Sequence, residues 1–275
     1  MQNPKTASAK RRATKTFPLT KTTGWTLLGI GAIALIVSII FSSQIPAFIG
    51  LALIFWGTIL TYIRSEEYVK TPILEATALS SLATLDQLLQ QNDYNNKAIY
   101  LPPRYFKNPE TTKAYIPKQK DQKPPTPEQI QNQETQLFTQ NPQGMLTTPP
   151  GAELTKFLEK TLGTTFTKED MQYVQQNIPK LLIEDLEIAQ NLEIKTENNK
   201  ITVTIENTVF HGLCKEVQKL ANVYNTLGSP LSSAIACILA KATGKPIIIE
   251  KETMGEHNKN IEIEYRLTQE EPAAA

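Results

Sequence analysis

Residues 22–63 read TTGWTLLGIGAIALIVSIIFSSQIPAFIGLALIFWGTILTYI, a run that contains no charged residue. In bilayer hydrocarbon each backbone N–H and C=O must be satisfied within the segment, which a helix does by itself. About 20 residues rising 1.5 Å each cross the roughly 30 Å of a bilayer core. The break Ser42-Ser43-Gln44-Ile45-Pro46 leaves two pieces of nearly that length, 25–41 and 45–63. The sequence therefore predicts a transmembrane hairpin over 24–64, with spans at about 24–42 and 45–63. Pro46 suits the first turn of the second helix, where a missing N–H costs nothing. Trp25, Trp56 and Tyr62 fall near the ends as interfacial anchors, and Gly29, Gly31, Gly50 and Gly57 would let the helices approach closely. The competing reading is a buried soluble hairpin, which would be an unusually large core to hold no charge.

The flanks set an orientation. Lys5, Lys10, Arg11, Arg12, Lys15 and Lys21 precede the first span without an acidic residue among them, whereas the inter-span turn has no basic residue. The positive-inside rule then places the basic tail 1–23 in the cytoplasm, and a second span returns the chain there. Both termini are expected to be cytoplasmic, at the cell membrane. A secretory or twin-arginine signal is the rival reading; no small-residue cleavage site follows the first span, and a second full-length span comes almost at once.

Six of the 28 basic residues and none of the 27 acidic ones lie before residue 24, so the remainder carries 22 basic against 27 acidic residues, a net of −5. This argues against a nucleic-acid partner, since phosphate contacts call for a clustered basic face. The basic tail could bind anionic headgroups, or serve only as a topology signal.

Cys214 and Cys237 are the two cysteines and His211 and His257 the two histidines. Reduced cytoplasmic thiols form no disulfide framework, and each cysteine reads as a small core residue. No paired Cys-x-x-Cys or His-x-x-x-His spacing supports a metal site, and the His211/Cys214 pair is a weak base-and-nucleophile signal. Neither a phosphate-cradling glycine loop nor a nucleophile elbow is present. The sequence thus assigns no catalytic residue, no cofactor and no metal.

Past the hairpin, 65–95 reads as a juxtamembrane helix, with Pro72 in its first turn and Leu74, Ala78, Leu82, Leu85 and Leu89 on one stripe. That stripe docks on the chain's own domain, or forms a short coiled coil with a second copy. An α+β domain over 96–267 follows, then a tail, 268–275. Short extended pieces at 98–101 and 114–116 suggest a hairpin or two edge strands. Between them Arg104, Tyr105 and Phe106 form either an exposed recognition patch or a strand end with inward aromatics. Residues 118–143, rich in Gln, Asn, Lys and Pro, read as a polar loop.

From residue 150 the pattern sharpens. Helices are predicted at 151–162, with Leu154, Phe157, Leu158 and Leu162 on one face and Gly163 as stop, and from Thr167 through Pro179 to Leu186. A hairpin turns at Glu197-Asn198-Asn199 between alternating strands 192–196 and 201–205. Helices 213–224 and 230–243 follow, the second capped by Ser229 and ended by Gly244. The last hairpin pairs 246–251 with 260–267. This order predicts a mainly antiparallel sheet with helices packed on one side.

That order, with Gly228-Ser229-Pro230-Leu231 leading into Gly244-Lys245-Pro246-Ile247-Ile248-Ile249-Glu250 and the strand Ile261-Glu262-Ile263-Glu264-Tyr265, resembles the four-vinyl-reductase ligand-binding domains and the related TRAPP vesicle-tethering subunits. The resemblance covers 150–267. Those ligand-binding domains tend to carry cysteines and glycines between their last two strands; here Met254-Gly255-Glu256-His257-Asn258 stands instead, so no cofactor or metal role is carried over. The whole chain, with Tyr100-Leu101-Pro102-Pro103 and Thr148-Pro149-Pro150-Gly151, is similar to an uncharacterised archaeal family of membrane-anchored proteins, a resemblance that implies no activity.

The functional expectation is a membrane-anchored cytoplasmic binding or adaptor module. Its partners are the lipid bilayer and either a protein partner or a homodimer mate, with the small-molecule ligand unknown. The alternatives are a membrane-associated enzyme using carboxylates such as Glu184, Asp185 or Glu187, and a structural subunit of a membrane complex.

Overall fold

The computed structural model describes residues 19–41, 43–62, 71–120, 122, 124–255 and 260–268. Most of the basic tail, residues 65–70 of the juxtamembrane segment, Glu256-His257-Asn258 and the tail from 269 lie outside the described residues. The chain divides into two compact units, 1–69 and 70–275.

The first unit holds α1 (Leu19–Phe41) and α2 (Gln44–Tyr62). The two helices meet through glycines. A Cβ on Gly31 would lie 2.9 Å from the Gly50 carbonyl oxygen, and one on Gly57 would lie 2.9 Å from the Leu28 amide nitrogen and 3.0 Å from the Gly24 carbonyl oxygen, so either would force the backbones apart. Gly29, expected at this seam, faces open space, and Gly24 takes its place. Hydroxyls are satisfied within the unit: Thr61 Oγ1 donates to Gly57 O (2.7 Å), Thr58 Oγ1 to Ile54 O (2.8 Å) and Ser38 Oγ to Ser43 O (2.7 Å). The outside is apolar, with Ile33, Ile39, Phe41, Phe48, Leu51, Phe55 and Trp56 all exposed.

The second unit begins with α3 (Thr71–Gln91), whose Leu82 and Leu89 are buried as its stripe packs on the helical segments His211–Gln218 and Ala221–Leu227. Lys118 closes its C-terminal end: Nζ donates to Asn92 O (2.6 Å) and lies 4.9 Å from the Tyr94 ring centroid, placing a cation where the helix dipole is negative.

Next come β1 (Ile99–Leu101) and β2 (Lys113–Pro117), which pair as a hairpin, with a 3-10 turn Pro103–Tyr105 between them. Tyr105 and Phe106 are buried, as inward aromatics should be. The region 118–143 departs from its expected loop. It contains α4 (Pro127–Gln131) and β3 (Phe138–Gln140), which pairs with β4 (Gln143–Thr147). Its polar side chains supply hydrogen bonds to the backbone. Thr126 and Gln129 close a full capping box on α4, while Gln133 donates to Asn141 O and accepts from Gln140 N, both at 2.8 Å.

The remaining elements are α5 (Ala152–Leu162), a 3-10 turn Phe166–Lys168, α6 (Met171–Lys180), β5 (Asn191–Glu197), β6 (Lys200–Glu206), α7 (His211–Gln218), α8 (Ala221–Leu227), α9 (Pro230–Thr243), β7 (Ile247–Met254) and β8 (Ile261–Leu267). Asp170, rather than Thr167, caps α6, accepting from Tyr173 N at 2.8 Å. Pro179, which lacks an N–H, sits inside it, and the chain runs on as a π turn, Leu181–Asp185. On α5 the buried side is Ala152, Thr155 and Leu158, and Phe157 is exposed. The helix expected over 213–224 is broken in two at Lys219-Leu220. There Asp86 of α3 accepts from Val223 N (2.9 Å) and Asn222 Nδ2 (3.0 Å), capping α8 from another element.

The described strands join one antiparallel sheet in the order β3-β4-β2-β1-β7-β8-β6-β5. Ile99 opposite Ile248 and Tyr100 opposite Ile247 weld the two halves, so β1 lies in the interior of the sheet. Successive side chains on a strand point to opposite faces. Tyr100, Ala114, Ile116, Met145 and the alternating residues of β6 and β8 face α3 and α5 to α9, forming the main core. On the other face Ile99, Leu101, Tyr115, Leu146 and Ile248 are covered by Tyr105, Phe106 and Ile130, a second, smaller core under α4. The central helix is α9, buried from Pro230 to Lys241. With α8 it makes a third segment long and apolar enough to span a membrane, but 83% of that segment is buried, against 11% for each of the first two.

Candidate functional site

A β-bulge makes the most unusual site in the second unit. Ile249 of β7 opposes Tyr265, but the next pair is Lys251 with Glu264, so Glu250 is the extra residue. Regular alternation would send Glu252 to the solvent face. The bulge turns it instead to the core side, opposite buried Ile263. Its carboxylate meets the N-terminus of α9, where Ser229 N donates to Oε2 at 3.0 Å. The residue as a whole is half-buried, yet Oε1 is out of reach of water and has no hydrogen-bond partner among the described residues.

The neighbours are polar but tied down. Ser229 Oγ accepts from Ser232 N (3.3 Å) and lies 2.9 Å from Ser232 Oγ, and Tyr224 Oη donates to Glu252 O (3.2 Å). Burial raises the Glu252 carboxyl above its usual 4.5, and the Ser229 N–H, the Ser232 and Ser229 hydroxyls and Lys97 pull it back. Lys97 is lowered by desolvation, against the attraction of Glu250 and Glu252. Burial also pushes the Cys214 and Cys237 thiols up to about 12, the opposite of an activated nucleophile.

At another face a cleft of about 690 Å³ is lined by residues that include Lys113, Lys156, Lys168, Thr112 and the buried Lys241–Glu159 pair. Lys156 is held by Glu153 at 2.6 Å and Lys113 donates to the Glu134 carbonyl. The Thr112 hydroxyl is buried without a partner among the described residues.

The structure does not gather the sequence-level candidates. Glu184, Asp185 and Glu187 are exposed around the π turn, His211 is half-buried at the start of α7, and Cys214 is enclosed one turn on. His257 lies outside the described residues. Among the described residues no cluster of three or more His, Cys, Asp or Glu is arranged to hold a metal. Sequence reasoning missed Glu252 because nothing in Ile249-Glu250-Lys251-Glu252 announces a bulge.

A comparison with family descriptions spans both units, from residue 2 to residue 267. The chain belongs to the family described as a domain of unknown function, DUF7982. No curated protein and no solved structure matches it. The family match covers the apolar hairpin as well as the α+β unit, so the two belong to one description rather than to an accidental join.

Proposed function

We propose that the protein is a membrane-anchored binding or adaptor module. Its hairpin spans the bilayer twice, and its α+β unit stands in the cytoplasm together with both termini. The observation that carries this is the apolar exterior of α1 and α2. A large apolar side chain left in water forgoes roughly 1.5–3 kcal/mol. Summed over the exposed apolar side chains of one hairpin, the cost reaches tens of kcal/mol, against a typical domain stability of about 5–15. Lipid removes that cost. The α8–α9 segment is already covered by protein and has no need of a bilayer.

Binding is favoured over catalysis because both thiols are pushed up to about 12, away from an activated nucleophile, and the Ser229 and Ser232 hydroxyls lie within hydrogen-bond distance of one another. Kinship to an archaeal set of membrane-anchored proteins, and of 150–267 to four-vinyl-reductase and TRAPP-like domains, belongs to the same proposal. It is supported by a run of helices followed by a hairpin, twice over: α5 and α6 before β5 and β6, then α7, α8 and α9 before β7 and β8. Purification of the full chain from its own cells in mild detergent should retain a protein or small molecule in fixed molar ratio. A chain that elutes with nothing bound at any salt concentration contradicts the binding role.

A further inference from the structure

The last strand of the sheet is self-complementary along its open edge. β5 pairs with β6 alone, and among the described residues no strand lies beyond it. Which of its backbone groups face outward follows from the ladder. Leu267 N donates to Asn199 O (2.8 Å), so residue 199, and by alternation 201, 203 and 205, turn their N–H and C=O toward β8. The even residues of β6 therefore turn toward β5, where they oppose Glu193, Lys195 and Glu197. That leaves Leu192, Ile194 and Thr196 with backbone groups aimed at the free edge. A side chain confirms the direction: Gln175 Nε2 of α6 reaches Ile194 O at 3.4 Å and Thr196 Oγ1 at 3.1 Å.

We propose that this edge pairs antiparallel with the same edge of a second copy, about a two-fold axis through Ile194, joining two sheets into one. The register that overlaps all seven residues of β5 sets Ile194 against Ile194, Glu193 against Lys195 and Asn191 against Glu197. Leu192 and Thr196 meet on the core side, so the apolar face continues across the seam. Moving the axis by one residue either way sets Glu193 on Glu193 or Lys195 on Lys195, and larger slips lose the overlap. Charge thus selects one register. Within one chain Lys195 Nζ already lies 2.9 Å from Glu193 Oε2. In the dimer the four charges alternate in sign around the axis. The long Gln175 contact to Ile194 O gives way to the N–H of the second Ile194, while its bond to Thr196 Oγ1 can remain. This pairing stands independently of the membrane reading.

The test is the mass of the full chain in detergent, measured by light scattering with the detergent contribution subtracted. The native chain is expected to be a dimer. Lys195→Glu and Glu193→Lys each turn both cross-axis pairs repulsive, and should raise the dimer dissociation constant at least about tenfold. These side chains are 62% and 55% exposed, so the fold itself has little stake in them, and unchanged circular dichroism checks this. Mixing the two variants sets an edge with two acids against an edge with two lysines, which makes both cross-axis pairs attractive once more and should restore a one-to-one heterodimer. A monomeric native chain overturns the proposal. So does a dimer that both single variants retain, since that would place the contact elsewhere, including on the hairpin.

Discussion

Lys241 Nζ lies 2.9 Å from Glu159 Oε2, with the two side chains only 5% and 12% exposed. The pair joins α9 to α5, and Glu159 Oε1 also accepts from Phe166 N at 3.0 Å, fastening the turn that follows. Removing one member of a buried pair leaves the other charge uncompensated. Lys241→Met should destabilise the second unit by about 3–5 kcal/mol, while Lys241→Met combined with Glu159→Leu should recover much of the loss. Denaturant unfolding of the three proteins decides; a double variant as unstable as the single one contradicts this account.

Asp86 does for α8 what an N-cap residue normally does for its own helix. Asp86→Ala leaves Val223 N without its acceptor and should cost about 1–2 kcal/mol. Hydrogen exchange should quicken at the Val223 amide more than at amides of α5. Equal protection in both proteins would mean the cap is dispensable.

Glu252 gives the unit a pH dependence with a definite sign. Its folded pKa is raised, so the native state holds its proton more tightly than the unfolded chain does. Stability from this group is therefore level below the ordinary carboxylate value, falls as pH rises from about 4.5 through the folded pKa, and levels off above it. Glu252→Gln lacks that fall. The melting temperature of the native protein minus that of the variant should decrease from about pH 4 upward, and parallel curves would rule the assignment out.

Ile238 is 1% exposed at the centre of α9. An aspartate there would bring an unpaired charge into the middle of the main core, so Ile238→Asp should abolish cooperative unfolding of the second unit. An unchanged melt would show that the core is elsewhere.

The apolar hairpin, the two C-terminal strand pairs and the α9 cap are legible in the sequence because each has a local signature: a charge-free run, period-two alternation, or Ser-Pro before an apolar helix. Three features are not. The segment 118–143 has the composition of a loop, but its Gln and Asn side chains bond the backbone, and the only local hint of order there is the Thr126-Pro127-Glu128-Gln129 capping box. The break between α7 and α8 depends on Asp86, 136 residues before Asn222, which no local pattern reports. Glu252 faces inward only because of the bulge at Glu250, and a one-residue slip changes the face of everything after it. What is hidden in the last two cases is a long-range partner or a change of register; in the first it is side chains of loop-like composition bonding the backbone of their own segment.

Whether lipid solvates residues 19–62 is most directly read by washing membranes of cells that make the full chain with alkaline carbonate and following it through sedimentation. The chain should stay with the membrane pellet and leave it only on addition of detergent. Recovery in the carbonate supernatant would contradict the account.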